Sequence, residues 1–371
     1  TGSRGAPRGE IADALARIAS VQGPRLAIDL PSGVDPDLGD ADAHAFVADV
    51  TVTFGRSKPG LHVTPARAHA GRIVVADIGL VAPPGTRASA TLVDPAAIAV
   101  ALAQRTAPRH KGERGHVGLV AGAANTPGAV LLAAAAAFRA GAGLCTVATD
   151  DAQLRAALLA ARPELMFAGV HELSCDALVV GPGLTDPAAH AGLDALWRSD
   201  PRPAIWDASA LDHVPQNAAA APRVITPHPG EAARMLARLD PSGAWTNARV
   251  QSSRIVAARL LAQRTGATVV LKGHGTVIAT HDRIAIDVLG DAALATAGSG
   301  DVLAGVIAAA LARGEAAEHA AAIGVALHGA AGRIVARKHP GSLAGDLVDA
   351  LDDAAAELST CSDALPRWRS A

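Results

Sequence analysis

From about residue 115 onward, short runs of β-branched residues alternate with long Ala- and Leu-rich runs of helical periodicity. This alternation is typical of strand–helix–strand units, in which helices cover both faces of a parallel sheet. The predicted strands span 116–122, 144–149, 176–183, 203–209, 223–227 and 268–275. The predicted helices span 129–141, 151–161, 188–198, 230–239 and 247–265, and two helical runs, 301–313 and 316–337, follow without a clear strand between them. The pattern predicts an α/β fold with a mostly parallel, doubly wound sheet.

The N-terminal part of the chain differs from the rest. It opens on a helical pattern that places Ile11, Leu15 and Ile18 on one face, and predicted strands then follow with few helical runs between them. These strands span 25–35, 47–55 and 71–79. The stretch 83–110 is rich in proline and small residues, which is typical of a domain boundary. We therefore predict an N-terminal domain over residues 1–90 and a C-terminal domain over residues 91–361.

Charge and cysteine content argue against several classes of function. Lys and Arg total 33 against 35 Asp and Glu, so no basic excess points to nucleic acid or to an anionic membrane. The three cysteines, Cys145, Cys175 and Cys361, form neither a CxxC pair nor a zinc-binding spacing, which suits a reduced cytoplasmic protein. The longest apolar runs are too short to span a bilayer. Small molecules are the predicted partners, and the Ala-rich faces permit a homo-oligomer without specifying one.

Five stretches follow predicted strands at points where a parallel sheet binds ligands, the carboxyl ends of its strands. They are "GPGLTD" (181–186), "WDASAL" (206–211), "TPHPGE" (226–231), "LKGHGT" (271–276) and "AGSGD" (297–301). The sequence contains no GxxxxGK[ST] loop, no complete GxGxxG and no HExxH. Walker-type ATPases, Rossmann dehydrogenases and zinc proteases therefore lose support.

The stretch "ATAGSGDVLAG" (295–305) places small residues and Asp301 in front of an apolar helical run. One interpretation is structural: a tight turn, with an acidic residue that complements the helix dipole. The other is chemical: unobstructed backbone N–H groups surround a phosphate, and Asp301 lies beside a substrate hydroxyl. The residues alone fit both interpretations.

Lys272 and His228 also have two interpretations each. The chain has only four lysines, and Lys272 ends a predicted strand between glycines, so it is either a phosphate ligand or part of an ordinary turn. His228 lies between two prolines with Glu231 three residues on. The prolines fix its backbone either to hold the imidazole over a ligand or to start a helix.

The order of several motifs resembles one family. In sequence order these motifs are "KGERGHVGLVAG" (111–122), "PGAVLLAAAAAFRAGAGL" (127–144), "PELM" (163–166), "GPGL", "TPHPGE", "LKGHGT" and "ATAGSGDVLAG". Over residues 110–355 they resemble the NAD(P)H-hydrate dehydratase domain of the ribokinase-like superfamily. Upstream, "AIDLPSGVDPDLGD" (27–40), "FGRSKPGLH" and "GRIVVADIGL" resemble the last part of the NAD(P)H-hydrate epimerase domain of bifunctional repair enzymes. The resemblance implies a ribokinase-like three-layer α/β/α fold, preceded by a partial α/β epimerase domain.

The resemblance also implies a reaction. Family members are lyases that use ADP, or ATP, to remove water from (S)-NADHX and (S)-NADPHX, which are NADH and NADPH hydrated on the nicotinamide ring. With ADP the products are the intact cofactor, AMP and phosphate. The resemblance implies that Asp301 takes the proton of the ring hydroxyl as its oxygen attacks the terminal phosphoryl group, and that the ring nitrogen then expels phosphate.

By the same resemblance, particular residues contact each ligand. The implied nucleotide-binding residues are Lys272, Gly273, His274, Gly275, Thr276 and Gly300. The residues implied to contact the hydrated dinucleotide are Ala129, Gly183, His228 and Asp301. Glu231 is implied to organise Mg²⁺ through water, and in the epimerase part Asp29 is implied to contact substrate and Ser32 to bind K⁺. The chain departs from the usual "DADALN" of the family, which reads "DASALD" over 207–212.

Two other functions remain as alternatives. One is a ribokinase-like small-molecule kinase, for a hydroxymethylpyrimidine or a sugar, because such kinases use the same Gly-rich loop and Asp base. The other is a nucleotide-binding module without turnover. We also expect the chain as given not to epimerise the hydrate, because the first half of an epimerase domain does not precede Thr1.

Overall fold

The structure, a computed structural model, describes residues 6–103, 111–186, 190–217, 219–339, 341–360 and 367–368. Cys361, the predicted end of the C-terminal domain at 361, the start of the predicted helix at 188–189 and part of the predicted boundary, 104–110, lie outside these residues. The described strands form one four-stranded and one ten-stranded sheet. Strands β1 to β3 and β14 belong to the smaller sheet, and β4 to β13 to the larger one.

The strands contain two to five residues each, and the helices four to 22. The strands are β1 (Leu26–Ile28), β2 (Val50–Phe54), β3 (Arg72–Ala76), β4 (Thr91–Leu92), β5 (His116–Val120), β6 (Leu144–Ala148), β7 (Met166–Ala168), β8 (Ala177–Val180), β9 (Ala204–Trp206), β10 (Arg223–Ile225), β11 (Thr268–Leu271), β12 (Thr276–Ala279), β13 (Ile284–Asp287) and β14 (Arg367–Trp368). The helices are α1 (Glu10–Ala19), α2 (Arg67–Ala70), α3 (Pro95–Ala103), α4 (Pro127–Arg139), α5 (Ala152–Ala161), α6 (Leu193–Ser199), α7 (Pro229–Leu239), α8 (Asn247–Ser252), α9 (Arg254–Thr265), α10 (Ser299–Ala312), α11 (Ala317–Lys338), α12 (Ala344–Asp349) and α13 (Leu351–Thr360).

The larger sheet confirms the predicted doubly wound topology. Its order is β4-β13-β12-β11-β10-β9-β8-β5-β6-β7, and the pairs from β11 to β7 are all parallel. The direction of winding reverses between β5 and β8, and such a reversal opens a crevice at the carboxyl ends of the two strands. The fold is the ribokinase-like α/β fold that the motif order implied.

Strand β8 shows why the sheet lies between two helical layers. Ala177 and Val179 contribute to one hydrophobic core, which also contains α10 and α11 side chains. Leu178 and Val180 contribute to a second core with residues of α7 and α9. Successive side chains of a strand point to opposite faces, so a strand buried on both faces reads as a continuous apolar run.

The structure also corrects several predicted elements. The predicted helix 247–265 is two helices, because Ser253 leaves helical geometry (φ −139°, ψ 44°) between α8 and α9. Strands β12 and β13 were not predicted; they form an antiparallel hairpin at the side of β11. The predicted strands 176–183 and 203–209 are correct in place but too long, since β8 and β9 end before the glycines and the acidic residue that follow them.

The N-terminal sheet is covered incompletely by the residues that the structure describes. One face of this sheet packs on a small core that includes Val34 and Ile73. The register of β1, β2 and β3 aligns a row of apolar residues on the opposite face, which we call the open sheet face: Leu26, Ile28, Val50, Val52 and Phe54. Leu26 is 57% and Ile28 69% exposed. No residue of α1 is buried, so the apolar stripe predicted for that helix is exposed rather than packed in a core.

Among the described helices, one is long and apolar enough to cross a membrane by length and composition. It is α11, and 78% of its apolar window is buried inside the protein. The same helix supplies Ile323, Leu327 and Val335 to the first core. Burial in a core explains its composition without a bilayer.

Candidate active site

The carboxyl ends of neighbouring strands bring the predicted motifs together. Asp207 directly follows β9, His228 lies three residues after β10, and Lys272 directly follows β11. The backbone N–H of Lys272 donates to the carbonyl of Pro227 at 2.9 Å, so "TPHPGE" and "LKGHGT" are adjacent. The edge of the sheet thus forms the floor of one site.

Lys272 is the cation at the centre of this site. Its Nζ lies 2.8 Å from Asp207 Oδ1 and 3.9 Å from Glu231 Oε2. Burial acts to lower the pKa of Lys272, but Asp207 and Glu231 raise it above its ordinary value. Lys272 is therefore a fixed positive charge at physiological pH, and 22% of its side chain stays exposed.

The N-terminus of α10 faces this lysine. Gly298 caps the helix in the left-handed region, with φ 87°, where glycine is favoured. A Cβ at Gly300 would lie 3.1 Å from Lys272 Nζ and 3.4 Å from Asp207 Oδ2. The small residues of "AGSGD" therefore allow the ammonium group to approach the first turn of the helix.

Asp301 lies in that first turn, and its acidity is unusual. Burial, followed by the negative charge of Asp207, raises the pKa of Asp301 to about 7, while Lys272 acts in the opposite direction. A carboxylate with such a pKa can accept a proton efficiently near neutral pH. The acidic residue in the first turn of α10 is therefore suited to general-base chemistry.

A buried histidine supports the same turn. His328 of α11 shares a 3.1 Å hydrogen bond between its Nε2 and the hydroxyl of Ser299, the first residue of α10. Both residues are only 6% exposed, and burial lowers the pKa of His328 to about 4. The imidazole is therefore neutral at physiological pH, and it fixes the orientation of Ser299 next to the Gly300 amide.

His228 starts a helix, which is the structural one of the two interpretations that its flanking prolines allow. Its Nδ1 accepts the N–H groups of Gly230 and Glu231 at 3.0 and 3.3 Å, and Glu231 accepts the N–H of His228 at 2.7 Å. This reciprocal pair is a capping box that starts α7. Since Nδ1 accepts, the ring proton lies on Nε2, and the side chain is 53% exposed.

The Gly273–Thr276 loop, which we call the nucleotide loop after the role that the resemblance implies for it, lies against the side chain of Arg254. This side chain is 1% exposed, and its guanidinium donates to the carbonyls of Leu271, Lys272 and Gly275 at 3.0, 3.1 and 3.4 Å. Gly273 has φ 144°, and a Cβ there would lie 2.7 Å from the guanidinium. Arg254 therefore fixes the path of the loop, and Gly273 allows the close approach.

The crevice between β5 and β8 contains the remaining residues expected near the dinucleotide. A Cβ at Gly183, which has φ 63°, would lie 2.8 Å from Ala129 Cβ. The hydroxyl of Thr126 donates to the carbonyl of Gly183 at 2.6 Å. Ala129 and Gly183 are therefore adjacent at the point where the winding of the sheet reverses.

Asp29 and Ser32 lie elsewhere, after β1. They belong to the described residues up to 90, which we call the N-terminal unit; those from 91 to 360 are the C-terminal unit. Asp29 has a left-handed backbone, with φ 66°, and its carboxylate accepts from Lys58, from Thr53 Oγ1 and from the N–H of Phe54. Burial acts to raise the pKa of Asp29, but these contacts lower it below its ordinary value. The structure therefore does not bring Asp29 and Ser32 into the site around Lys272 and Asp301.

The residues around Glu231 fit a metal ion only in a limited way. Both oxygens of Glu231 already face His228 or Lys272. Within the described parts of the chain, no three His, Cys, Asp or Glu side chains form a group that could hold a metal. This arrangement fits Mg²⁺ held mainly by phosphate oxygens and water, with one carboxylate in its outer shell.

Sequence reasoning missed three residues of this site: Asp207, Arg254 and His328. Asp207 lies inside a stretch singled out at a strand end, so its position was a usable signal. Arg254 and His328 belong to helices, far from the loops they contact along the chain. Their positions in the sequence, inside helical runs, do not indicate that they belong to the site.

Comparisons with known proteins identify the family to which the sequence is similar. A profile of the NAD(P)H-hydrate dehydratase family matches residues 117–352, and a profile described as YjeF-related protein N-terminus matches residues 1–60. The bifunctional NAD(P)H-hydrate repair enzyme Nnr of Escherichia coli is 38% identical over 368 residues, which cover 95% of this chain and 69% of that enzyme. The enzyme of the same name from Moorella thermoacetica is 38% identical over 95% of this chain and 70% of its own length.

Solved structures are similar as well. The ADP/ATP-dependent NAD(P)H-hydrate dehydratase of Bacillus subtilis, co-crystallised with ATP and Mg²⁺, superposes with a TM-score of 0.66 at 29% identity, covering 73% of this chain and 100% of its own. A ribokinase-like superfamily protein of Enterococcus faecalis gives a TM-score of 0.60 at 26% identity, covering 76% of this chain and 100% of its own.

Proposed function

This chain belongs to the NAD(P)H-hydrate dehydratase family, and on that basis we propose that it repairs hydrated NADH and NADPH with ADP or ATP as phosphoryl donor. It is a lyase. The observation that carries the proposal is the position of Asp301, a buried carboxylate with a pKa of about 7 in the first turn of α10, beside the ammonium group of Lys272.

The reaction begins with proton removal. Asp301 takes the proton of the nicotinamide-ring hydroxyl while that oxygen attacks the terminal phosphoryl group of the nucleotide. The bond between the two phosphoryl groups of ADP breaks, and AMP is released. The ring then carries a phosphate, which is a better leaving group than hydroxide. The lone pair of the ring nitrogen expels phosphate from the adjacent carbon, the next ring carbon loses a proton to water, and the ring double bond of NADH or NADPH is restored.

The surrounding groups stabilise the charge that moves during phosphoryl transfer. Lys272 presents a positive charge at the mouth of α10, and the first backbone N–H groups of that helix have no partners inside the helix. His228, at the start of α7, presents its half-exposed imidazole to the hydrated dinucleotide. Ala129 and Gly183 leave room for the dinucleotide in the crevice between β5 and β8, and the nucleotide loop receives the adenine nucleotide.

Metal ions complete the proposal. Mg²⁺, when bound, supplies positive charge to the phosphate oxygens, with Glu231 in its outer shell. In the N-terminal unit we propose K⁺ near Ser32 and substrate contact by Asp29. We propose that the enzyme acts in the cytoplasm, since Cys145 and Cys175 are free thiols.

A direct assay separates this function from its alternatives. The protein is incubated with hydrated NADH, ADP and Mg²⁺ while NADH absorbance, AMP and phosphate are followed. A dehydratase yields NADH, AMP and phosphate in equal amounts. A small-molecule kinase leaves a stable phosphorylated product, and a binding module leaves every concentration unchanged; either result rejects the proposal.

A further inference from the structure

A segment of the N-terminal unit contacts the nucleotide loop directly. The backbone N–H and the hydroxyl of Thr64 both donate to the carbonyl of His274, at 3.3 and 3.2 Å. Gly275 has φ 75°, and a Cβ there would lie 2.0 Å from the carbonyl oxygen of His62. The two backbones therefore approach so closely that only glycine fits at position 275.

Val63, between these residues, is part of the C-terminal core. It is fully buried and belongs to the same hydrophobic cluster as Leu271 and Val277, the residues on either side of the nucleotide loop. The other core residues of the N-terminal unit, among them Val34 and Leu61, form a separate cluster. Val63 therefore attaches the His62–Thr64 segment to the base of the loop.

The loop is thus held from two sides. Arg254 binds the carbonyls of Lys272 and Gly275 from inside the C-terminal unit. The His62–Thr64 segment binds the carbonyl of His274 and packs on Gly275 from the other side. Arg254 and the segment contact different atoms, so neither replaces the other.

We propose that the His62–Thr64 segment is a positioning element of the dehydratase site, through which the N-terminal unit sets the affinity for the adenine nucleotide. This inference rests on the proposed function, because it takes the nucleotide loop to bind ADP or ATP. A loop with two glycines has high conformational freedom, and binding is weaker when the ligand must order it. A loop that is already held presents its N–H groups to phosphate without that cost.

The test uses the full chain with a double substitution, Val63→Ala and Thr64→Val. These changes remove core contacts and the hydroxyl donor without touching residues assigned to either ligand. We expect the Kd and KM for ADP to rise about three- to tenfold, with kcat at saturating ADP and the KM for the hydrate unchanged. Amide exchange of residues 272–276 becomes faster. Val34→Ala, the same truncation in the separate N-terminal core, is the matched control and leaves ADP affinity unchanged.

A second pair of variants approaches the contact from the loop. Gly275→Ala drives a Cβ into the His62 carbonyl, whereas Gly314→Ala places one at a similar backbone angle, φ 87°, with no atom within 4 Å. We expect Gly275→Ala to weaken ADP binding and Gly314→Ala to leave ADP affinity unchanged. Thr64→Val alone serves if the double variant does not fold.

The outcomes separate the inference from the proposed function. Wild-type ADP affinity in the double variant, or in Thr64→Val if that variant replaces it, overturns the inference, whether or not amide exchange changes. An equal loss of affinity in Val34→Ala also overturns it, because the effect then reflects general destabilisation. If the wild-type chain neither binds ADP nor restores NADH, the proposed function has failed instead.

Discussion

At the scale of single residues, the acidity of Asp301 depends on its burial and on two neighbours of opposite charge. Burial and then Asp207 raise the pKa of Asp301, Lys272 lowers it, and Lys272 is itself paired with Asp207. The three groups therefore act as one electrostatic unit. A change to Asp207 or Lys272 is therefore expected to alter the protonation of Asp301.

Replacement of the base tests the first step of the reaction. We expect Asp301→Asn to lower kcat by about two to four orders of magnitude, because it removes a general base while keeping the size of the side chain. The Kd for ADP, measured by calorimetry, should stay close to the wild-type value since the loop is intact. A variant with wild-type kcat would exclude Asp301 as the base.

The pH dependence of the rate follows from the pKa of Asp301. The carboxylate is the active form, so kcat/KM should rise with pH and level off above an apparent pKa of about 7. Asp207→Asn removes the negative charge that raises this pKa and frees Lys272 to lower it further. The rise should therefore shift to lower pH in that variant. An unchanged profile would show that another group controls the rate.

At the scale of elements, α11 supports the first turn of α10 through the hydrogen bond between His328 and Ser299. We expect His328→Leu to lower the free energy of unfolding by about 1–3 kcal/mol, because it leaves the buried Ser299 hydroxyl without its partner. Adding Ser299→Ala should recover part of this loss, since both polar groups are then gone. Urea unfolding of the two single variants and the double variant measures the coupling. Strict additivity would mean that the pair contributes nothing.

Elements also show how far the sequence predicts this structure. The alternation of β-branched and Ala-rich runs predicted the parallel strands because burial on both faces demands apolar residues throughout. The β12–β13 hairpin escaped prediction since its four-residue strands follow a glycine-rich turn that already ends the preceding run. The break at Ser253 escaped because helical periodicity continues across it. Four of the five motifs predicted at strand ends lie there, after β8, β9, β10 and β11, whereas "AGSGD" lies at the N-terminus of α10. The helical residues Arg254 and His328 reach the site only through tertiary packing.

At the scale of the whole molecule, we expect the open sheet face to promote self-association of the protein. Contiguous exposed apolar surface promotes contact with other apolar surfaces. We expect Leu26→Thr with Ile28→Thr to reduce both the binding of an environment-sensitive apolar dye and concentration-dependent self-association in sedimentation. Leu343→Thr, at a position in the C-terminal unit that is also 69% exposed, is the control and should change neither. Equal effects in both variants would mean that the open sheet face has no special role.

The burial of Val63 in the C-terminal core couples the thermal unfolding of the two units. Because one residue of the N-terminal unit fills a site in the other unit's interior, the two units cannot come apart without exposing that interior to water. Their unfolding is therefore expected to be cooperative, with a single calorimetric transition. By mass action, a nucleotide bound at the dehydratase site would then also protect distant amides of β2 and β3 from exchange.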